Sequence, residues 1–292
     1  MPESTSSSKN EAYAFGQGKA EISRLTNQHP LFVQWAGGLI QPAIPKEDIK
    51  RVADVATGTG AWLIDVAKEL NNPTNVYQGF DITTASFPSD IPSGIGSFNF
   101  SLHNAVERFP AEFHGQFDLI NVRLVIQAFK AADVPKIMSN LVEILRPGGF
   151  LQWGDLSWID TKLDPPHEDV EVVLELSRKH MKFHGVAQNL PAIVESTMRE
   201  LGMQDVRLVK KSMSESVPPL HPKVAEMASK SALLAMLPKV LETQMLSENK
   251  PVDAAEIEAK RTELADRFEQ ALANGSVLYW YFCLIVGKKP LA

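Results

Sequence analysis

The chain has 292 residues, 44% of them hydrophobic and 22% charged, enough to bury one large core or two small ones without metal or disulfide staples. Acidic residues outnumber basic ones 35 to 29, and no stripe of lysine and arginine forms, which argues against nucleic acid and anionic membranes as partners. The lone Cys283 rules out an intramolecular disulfide and a cysteine-rich metal site, and no apolar run approaches the ~18 residues of a membrane span, so a soluble protein of the reducing cytoplasm is expected.

Residues 1–15 hold Ser4, Thr5, Ser6, Ser7 and Ser8 but no apolar core, and are expected to be a disordered tail rather than a secretory signal. Across 16–45, the spacing of Ile22, Leu25, Leu31, Phe32, Trp35 and Leu39 predicts two short helices broken near Pro30. The main domain is expected from 46 to 292. Arg51 to Val55 reads as a strand, followed by a glycine turn and a helix burying Leu63, Val66, Ala67 and Leu70. Strands follow at Val76 to Phe80, Phe98 to Leu102 and Phe117 to Val122. A helix is predicted from Val134 to Leu145 with Asp133 as its cap, then a fifth strand at Phe150 to Trp153.

This alternation implies an α/β fold, a Rossmann-like doubly wound sheet of about seven strands. Its later part breaks the rhythm. After a helix from Ala192 to Leu201 stopped by Gly202 comes a sixth strand at Val206 to Val209. Helical stretches at Pro222 to Leu246 and Asp253 to Asn274 follow, the second with Ile257, Leu264, Phe268 and Leu272 on its inner face. A continuous, antiparallel last strand is expected from Val277 to Val286. Helical insertions thus fall at about 160–190 and 220–275.

Between first strand and first helix lies Asp54-Val55-Ala56-Thr57-Gly58-Thr59-Gly60, where glycines let the backbone approach a ligand and the helix N-terminus offers unpaired N–H groups. Asp81, 21 residues after Gly60, stands where a carboxylate accepts both hydroxyls of a ribose. The bland alternative is tight helix packing beside an ordinary strand-end aspartate. The sharper rival is nicotinamide binding, but Leu63 occupies the place of the third glycine in G-x-G-x-x-G, and no Gly-Lys-Ser/Thr follows. These absences favour a nucleoside cofactor without pyrophosphate.

Asp54 through Gly60, Asp81, Asn104-Ala105 and Leu145 through Gly149 resemble the successive motifs of class I S-adenosylmethionine-dependent methyltransferases. Leu25-Thr26-Asn27-Gln28-His29, Ala61 through Ile64, His114 through Asp118, Val122-Arg123-Leu124 and Gly149 through Asp155 narrow the resemblance. They are similar to fungal secondary-metabolite methyltransferases related to the gliotoxin-pathway N-methyltransferase, over about 20 to 158. The resemblance implies S-adenosylmethionine as cofactor. Asp54, Ala56, Thr57, Gly58 and Gly60 would cradle its amino acid part, Asp81 and Ile82 its ribose side, Asn104 and Ala105 the adenine. Asn121, Val122 and Arg123 would floor the methionine end. Ala56 replaces the motif's first glycine and is expected to keep φ negative. Asn121 and Asp155 stand where histidine and glutamate are common.

Methyl transfer from a sulfonium needs an aligned nucleophile and exclusion of water; a neutral amine needs no base, whereas a hydroxyl gains from one. Asp155, expected just after the fifth strand, is the catalytic candidate, with turn capping as its alternative; His103 is a second. Gln28, Trp153, Trp158, His180 and His184 are candidates for the substrate pocket, the tryptophans with Phe183 as a roof, against an alternative of plain core and helix surface. His180 and His184 share a helix face, but Lys182 lies between them and no glutamate completes a zinc signature, so no metal is expected. Asp164-Pro165-Pro166-His167 resembles the Asp-Pro-Pro-Tyr signature of base-modifying amino-methyltransferases, but it follows the wrong strand and lacks the aromatic, and reads as a turn into a helix near Val170 to Phe183. Arg24, Asn27, Gln28 and His29 are expected to close over the cofactor as a lid. The leading reading is methyl transfer to nitrogen or oxygen of a small-molecule metabolite; the alternative is a methyltransferase-like regulator that binds cofactor and protein partners. A homodimer is not indicated.

Overall fold

The computed structural model describes residues 18–212 and 235–291. The elements in chain order are α1 (Lys19–Ala36), β1 (Arg51–Val55), α2 (Ala61–Leu70), β2 (Val76–Asp81), β3 (Ser97–Leu102), β4 (Phe117–Arg123), α3 (Val134–Ile144) and β5 (Leu145–Leu156). They continue with β6 (Lys162–Asp164), α4 (Glu168–Phe183), α5 (Leu190–Glu200), β7 (Gln204–Ser212), α6 (Ala235–Ser247), α7 (Ala254–Ala273), β8 (Val277–Tyr279) and β9 (Tyr281–Lys288). Seven strands form one sheet in the order β3-β2-β1-β4-β5-β9-β7, with β9 antiparallel to both neighbours. The doubly wound α/β sheet with an antiparallel last strand is therefore as expected. Its order reverses between β1 and β4, and that reversal opens a crevice at the carboxyl ends of the strands.

Both faces of the central strands are covered, which is why Val52, Ala53, Leu119 and Ile120 are wholly buried. One core joins α3 and α5 through Ile137, Leu141, Val194 and Met198; the other joins α2 to the segment after α1 through Trp62, Leu63, Leu39 and Ile40. At the opposite edge of the strands, Asp118 accepts from the N–H groups of Lys50 and Arg51 and pairs with Arg146, fixing the starts of β1, β4 and β5 together. No described helix is long and apolar enough to cross a membrane.

Several boundaries differ from the sequence reading. The N-terminal segment is one helix, with Pro30 inside α1. A proline there sacrifices a helix hydrogen bond. The turns beyond it are held by packing instead: Phe32, Trp35 and Phe282 cluster with centroids 5.2–5.6 Å apart, and Lys211 Nζ donates to the Ala36 carbonyl at 2.7 Å. Asp133 makes no side-chain cap to α3, because a 3-10 turn over Ala131–Asp133 already gives it helical dihedrals. Asp253 does cap α7, accepting from the N–H groups of Ala255 and Glu256.

The continuous last strand is two. β8 pairs with β6 in a small separate sheet, the chain breaks at Trp280, and β9 then enters the main sheet. Asp155 lies within β5, a strand of 12 residues, rather than after it. The tail expected at 1–15 lies outside the described residues, and so does part of the helix expected from Pro222, whose described part is α6 with Pro238 inside it.

Candidate active site

β1 delivers Asp54 to the crevice and the chain then turns tightly into α2. Ala56, Gly58 and Gly60 all take positive φ, at 59°, 55° and 69°. The expectation for Ala56 is thus corrected: the turn geometry forces its backbone into the left-handed region despite the Cβ, a strained state for alanine. Gly60 is doubly constrained, since a Cβ there would lie 2.9 Å from the Phe100 ring of β3. A Cβ on Gly58 would meet Leu25 of α1 at 3.4 Å, so α1 lies against the turn.

Asp81 ends β2 beside this turn. Its carboxylate accepts from the Gly58 N–H at 2.8 Å and from the Thr83 N–H at 3.2 Å, and burial raises its pKa. Ile82 follows it, 47% exposed. Asn104 forms its own turn by accepting from the Val106 N–H at 3.1 Å, and Ala105 is buried beneath. Asn140 of α3, which the sequence reading missed, donates to the carbonyls of Ala105, Val106 and Glu107 and fixes that loop. His103 packs on Phe109 with centroids 4.1 Å apart, Nε2 against the Glu107 carbonyl.

A buried polar ladder crosses the sheet. Asp54 accepts from Thr57 Oγ1 at 2.7 Å and Asn121 Nδ2 at 2.8 Å; Asn121 Oδ1 accepts from Gln152 Nε2 at 3.0 Å. These side chains meet because Asp54 pairs with Asn121, and Asn121 with Gln152, across neighbouring strands. Burial pushes Asp54 up to about 6, only partly countered by its hydrogen bonds. Asn121 and Val122 are enclosed in the sheet.

Arg123 at the end of β4 is held differently. Nη2 donates to His29 Nδ1 at 2.9 Å, and His29 Nε2 then donates to Asp65 of α2 at 3.1 Å. Burial and the neighbouring guanidinium lower His29 to about 4, so the ring is neutral with its proton on Nε2. Burial brings Arg123 down to about 10, and no carboxylate of the described residues forms an ion pair with it.

The remaining candidates separate from this cluster. Arg24 pairs with Glu21 and donates to Gln28 Oε1 at 2.9 Å; Asn27 is exposed beside Ser23. Asp155 is wholly buried, accepting from the Val125 N–H at 2.9 Å, the Leu156 N–H at 2.9 Å and Trp153 Nε1 at 3.4 Å, and burial raises it to about 7. It shapes the turn after β4. Trp153 is likewise core, edge-on to Phe129. His180 Nδ1 and His184 Nε2 lie 2.8 and 3.2 Å from Thr243 Oγ1, which itself donates to the Lys239 carbonyl. That hydroxyl accepts from both rings, so the two histidines fasten α4 to α6. Phe183 is half exposed at the end of α4 and roofs nothing in the described structure. No cluster of three or more metal-ligating side chains occurs among the described residues.

No family model matches the chain. It is 35% identical to "Methyltransferase grgD" of a Penicillium species over 187 residues, 62% of this chain and 65% of that protein. Its relatives are fungal methyltransferases and, more weakly, the "Secondary metabolism regulator laeA" of Coprinopsis cinerea, 27% identical over 154 residues, 49% of this chain and 35% of that protein. "N-methyltransferase gliN" of Aspergillus fumigatus is 27% identical over 233 residues, covering 76% of this chain and 78% of the relative. The similarity to grgD thus spans slightly less than two thirds of its length. A phosphoethanolamine N-methyltransferase 2 of Haemonchus contortus superposes with a TM-score of 0.47 at 16% identity, covering 90% of this chain and 52% of that one.

Proposed function

We propose that the chain binds S-adenosylmethionine and transfers its methyl group to a nitrogen or oxygen of a small molecule. The observation that carries this reading is the contact between Asp81 and Gly58: a carboxylate at the tip of β2 grips the glycine turn at the tip of β1. Its two oxygens take two backbone N–H groups yet keep lone pairs for a pair of ribose hydroxyls. The rest of the cleft fits the same molecule. Ile82 offers an apolar surface to a base, and Arg123 is a cation awaiting a carboxylate. Leu63, wholly buried where a dinucleotide site wants glycine, supports a cofactor without pyrophosphate.

S-adenosylmethionine bound there supplies an electrophilic methyl group on a sulfonium. The chain's own part is positional. The left-handed turn and Asp81 orient the nucleoside, Arg123 the amino acid end, and α1, tied down through His29, excludes water from that end. Asp155 positions the turn after β4 through the Val125 N–H and takes no proton from the acceptor. A neutral amine needs no base in such a site, which agrees with the naming of gliN as an N-methyltransferase.

Equilibrium dialysis against S-adenosylmethionine and NADH tests cofactor choice: retention of the first alone supports the reading, and retention of NADH alone overturns it. Label transfer from S-adenosylmethionine to any small molecule of a fungal extract then separates an enzyme from a cofactor-binding regulator.

A further inference from the structure

Among the described residues, the buried polar atoms without a hydrogen-bond partner include single atoms of Gln41, Arg51 and Asn75 and, in Gln127, Trp158 and Trp280, every polar atom of the side chain. Of the five tryptophans, Trp35, Trp62 and Trp153 direct their indole N–H to the Lys211 carbonyl, the Leu39 carbonyl and the Asp155 carboxylate. Trp158 and Trp280 are each 2% exposed, and neither Nε1 meets an acceptor among the described residues. Gln127, 4% exposed, leaves both Nε2 and Oε1 unmet. Leaving such groups unpaired is costly, so a fold retains them where something else satisfies them.

Strand register brings the three to one edge. Arg123 of β4 pairs with Gly154 of β5 at the carboxyl end of both strands, where Gln127 lies in the turn that follows β4 and Trp158 opens the 3-10 turn that follows β5. Leu156 of β5 pairs with Phe282 of β9, and Trp158 and Trp280 each lie two residues beyond it, their rings 6.3 Å apart. This is the carboxyl edge of β4 and β5, the side on which Arg123 meets His29.

The geometry points to Gln127, Trp158 and Trp280 as the polar wall of a pocket for a neutral, carbonyl-bearing compound, its oxygens taking the indole N–H groups and its N–H or O–H the Gln127 carbonyl. The positive ends of the indole N–H dipoles repel a cation. The buried carboxyl of Asp155, which bonds the turn carrying Gln127, disfavours an anion. Assigning this pocket to the methyl acceptor rests on the function proposed above.

The test is nuclear magnetic resonance of the full chain labelled with 15N at the tryptophan indoles. It is titrated with caprolactam, cyclohexanecarboxylate and cyclohexylamine, with Trp158→Phe and Trp280→Phe assigning the two signals. Caprolactam is expected to shift both signals saturably and to bind at least fivefold more tightly than either charged probe, while Trp35 and Trp62 stay still. Gln127→Met is expected to weaken caprolactam about tenfold while holding or raising the melting temperature, since it removes an unsatisfied amide. Absence of a saturable lactam shift, an equal response to the charged probes, or a lower melting temperature in Gln127→Met overturns the inference. Dialysis with S-adenosylmethionine runs in parallel. Cofactor retention without lactam binding overturns the pocket alone, and lactam binding without cofactor retention overturns the methyltransferase reading alone.

Discussion

The guanidinium of Arg123 donates to Nδ1 of His29 across 2.9 Å, joining the last residue of β4 to the middle of α1. The imidazole passes the connection on to Asp65 of α2, so three elements around the cleft share one chain of hydrogen bonds. His29→Phe keeps the volume and removes both ring nitrogens. Cofactor affinity is expected to fall about tenfold in a calorimetric titration, with the sheet still folded. Truncation of residues 1–30 is expected to weaken binding at least as much, because Leu25 goes as well; unchanged affinity in both would refute the lid.

The same ring sets an acid limit. Its folded pKa, about 4, lies below the ordinary 6.5, so its contribution to stability is complete above pH 6.5 and disappears as pH falls through 4. His29→Phe is expected to lack this part of the loss in melts between pH 6.5 and 4.

Asp155 works in the opposite sense. Its folded pKa of about 7 exceeds the ordinary 3.8, so the stability linked to its protonation is full below pH 3.8 and is lost as pH rises through 7. Wild-type protein is expected to lose on the order of 3 kcal/mol to this group across that window. Asp155→Asn is expected to flatten the slope in urea titrations at pH 5 and 8. An unchanged slope would assign the ionised form to the folded state.

Asp81→Ala removes the acceptor for the Gly58 N–H and, in the proposed function, both ribose contacts. Cofactor affinity is expected to drop by roughly 2–4 kcal/mol. Melting of the unliganded protein distinguishes this from a structural role: a collapsed melting temperature would mean that Asp81 holds the fold and not the ligand.

Gly60→Ala meets two obstacles, a φ of 69° and the Phe100 ring at 2.9 Å. A destabilisation of roughly 2–4 kcal/mol is expected. Adding Phe100→Leu is expected to restore the steric part and leave the backbone part, a coupling measurable in a double-mutant cycle.

The glycine turn and the aspartate beside it were legible because their signals are local: a glycine turn closing a strand, an aspartate ending the next, and helices with one apolar face each depend on neighbouring residues. Even there, the sign of φ at Ala56 escaped, since the turn's closure and not the residue type selects it. The pairing of His29 with Arg123, the ladder from Asp54 through Asn121 to Gln152, and the Thr243 hydroxyl that captures His180 and His184 link positions far apart in the chain. Composition and periodicity thus determined an α/β protein with a glycine turn between its first strand and the helix that follows. Strand register and the docking of helices on the sheet and on each other decided which polar groups meet, because a hydrogen bond depends on ångström-scale placement that no spacing along one chain encodes.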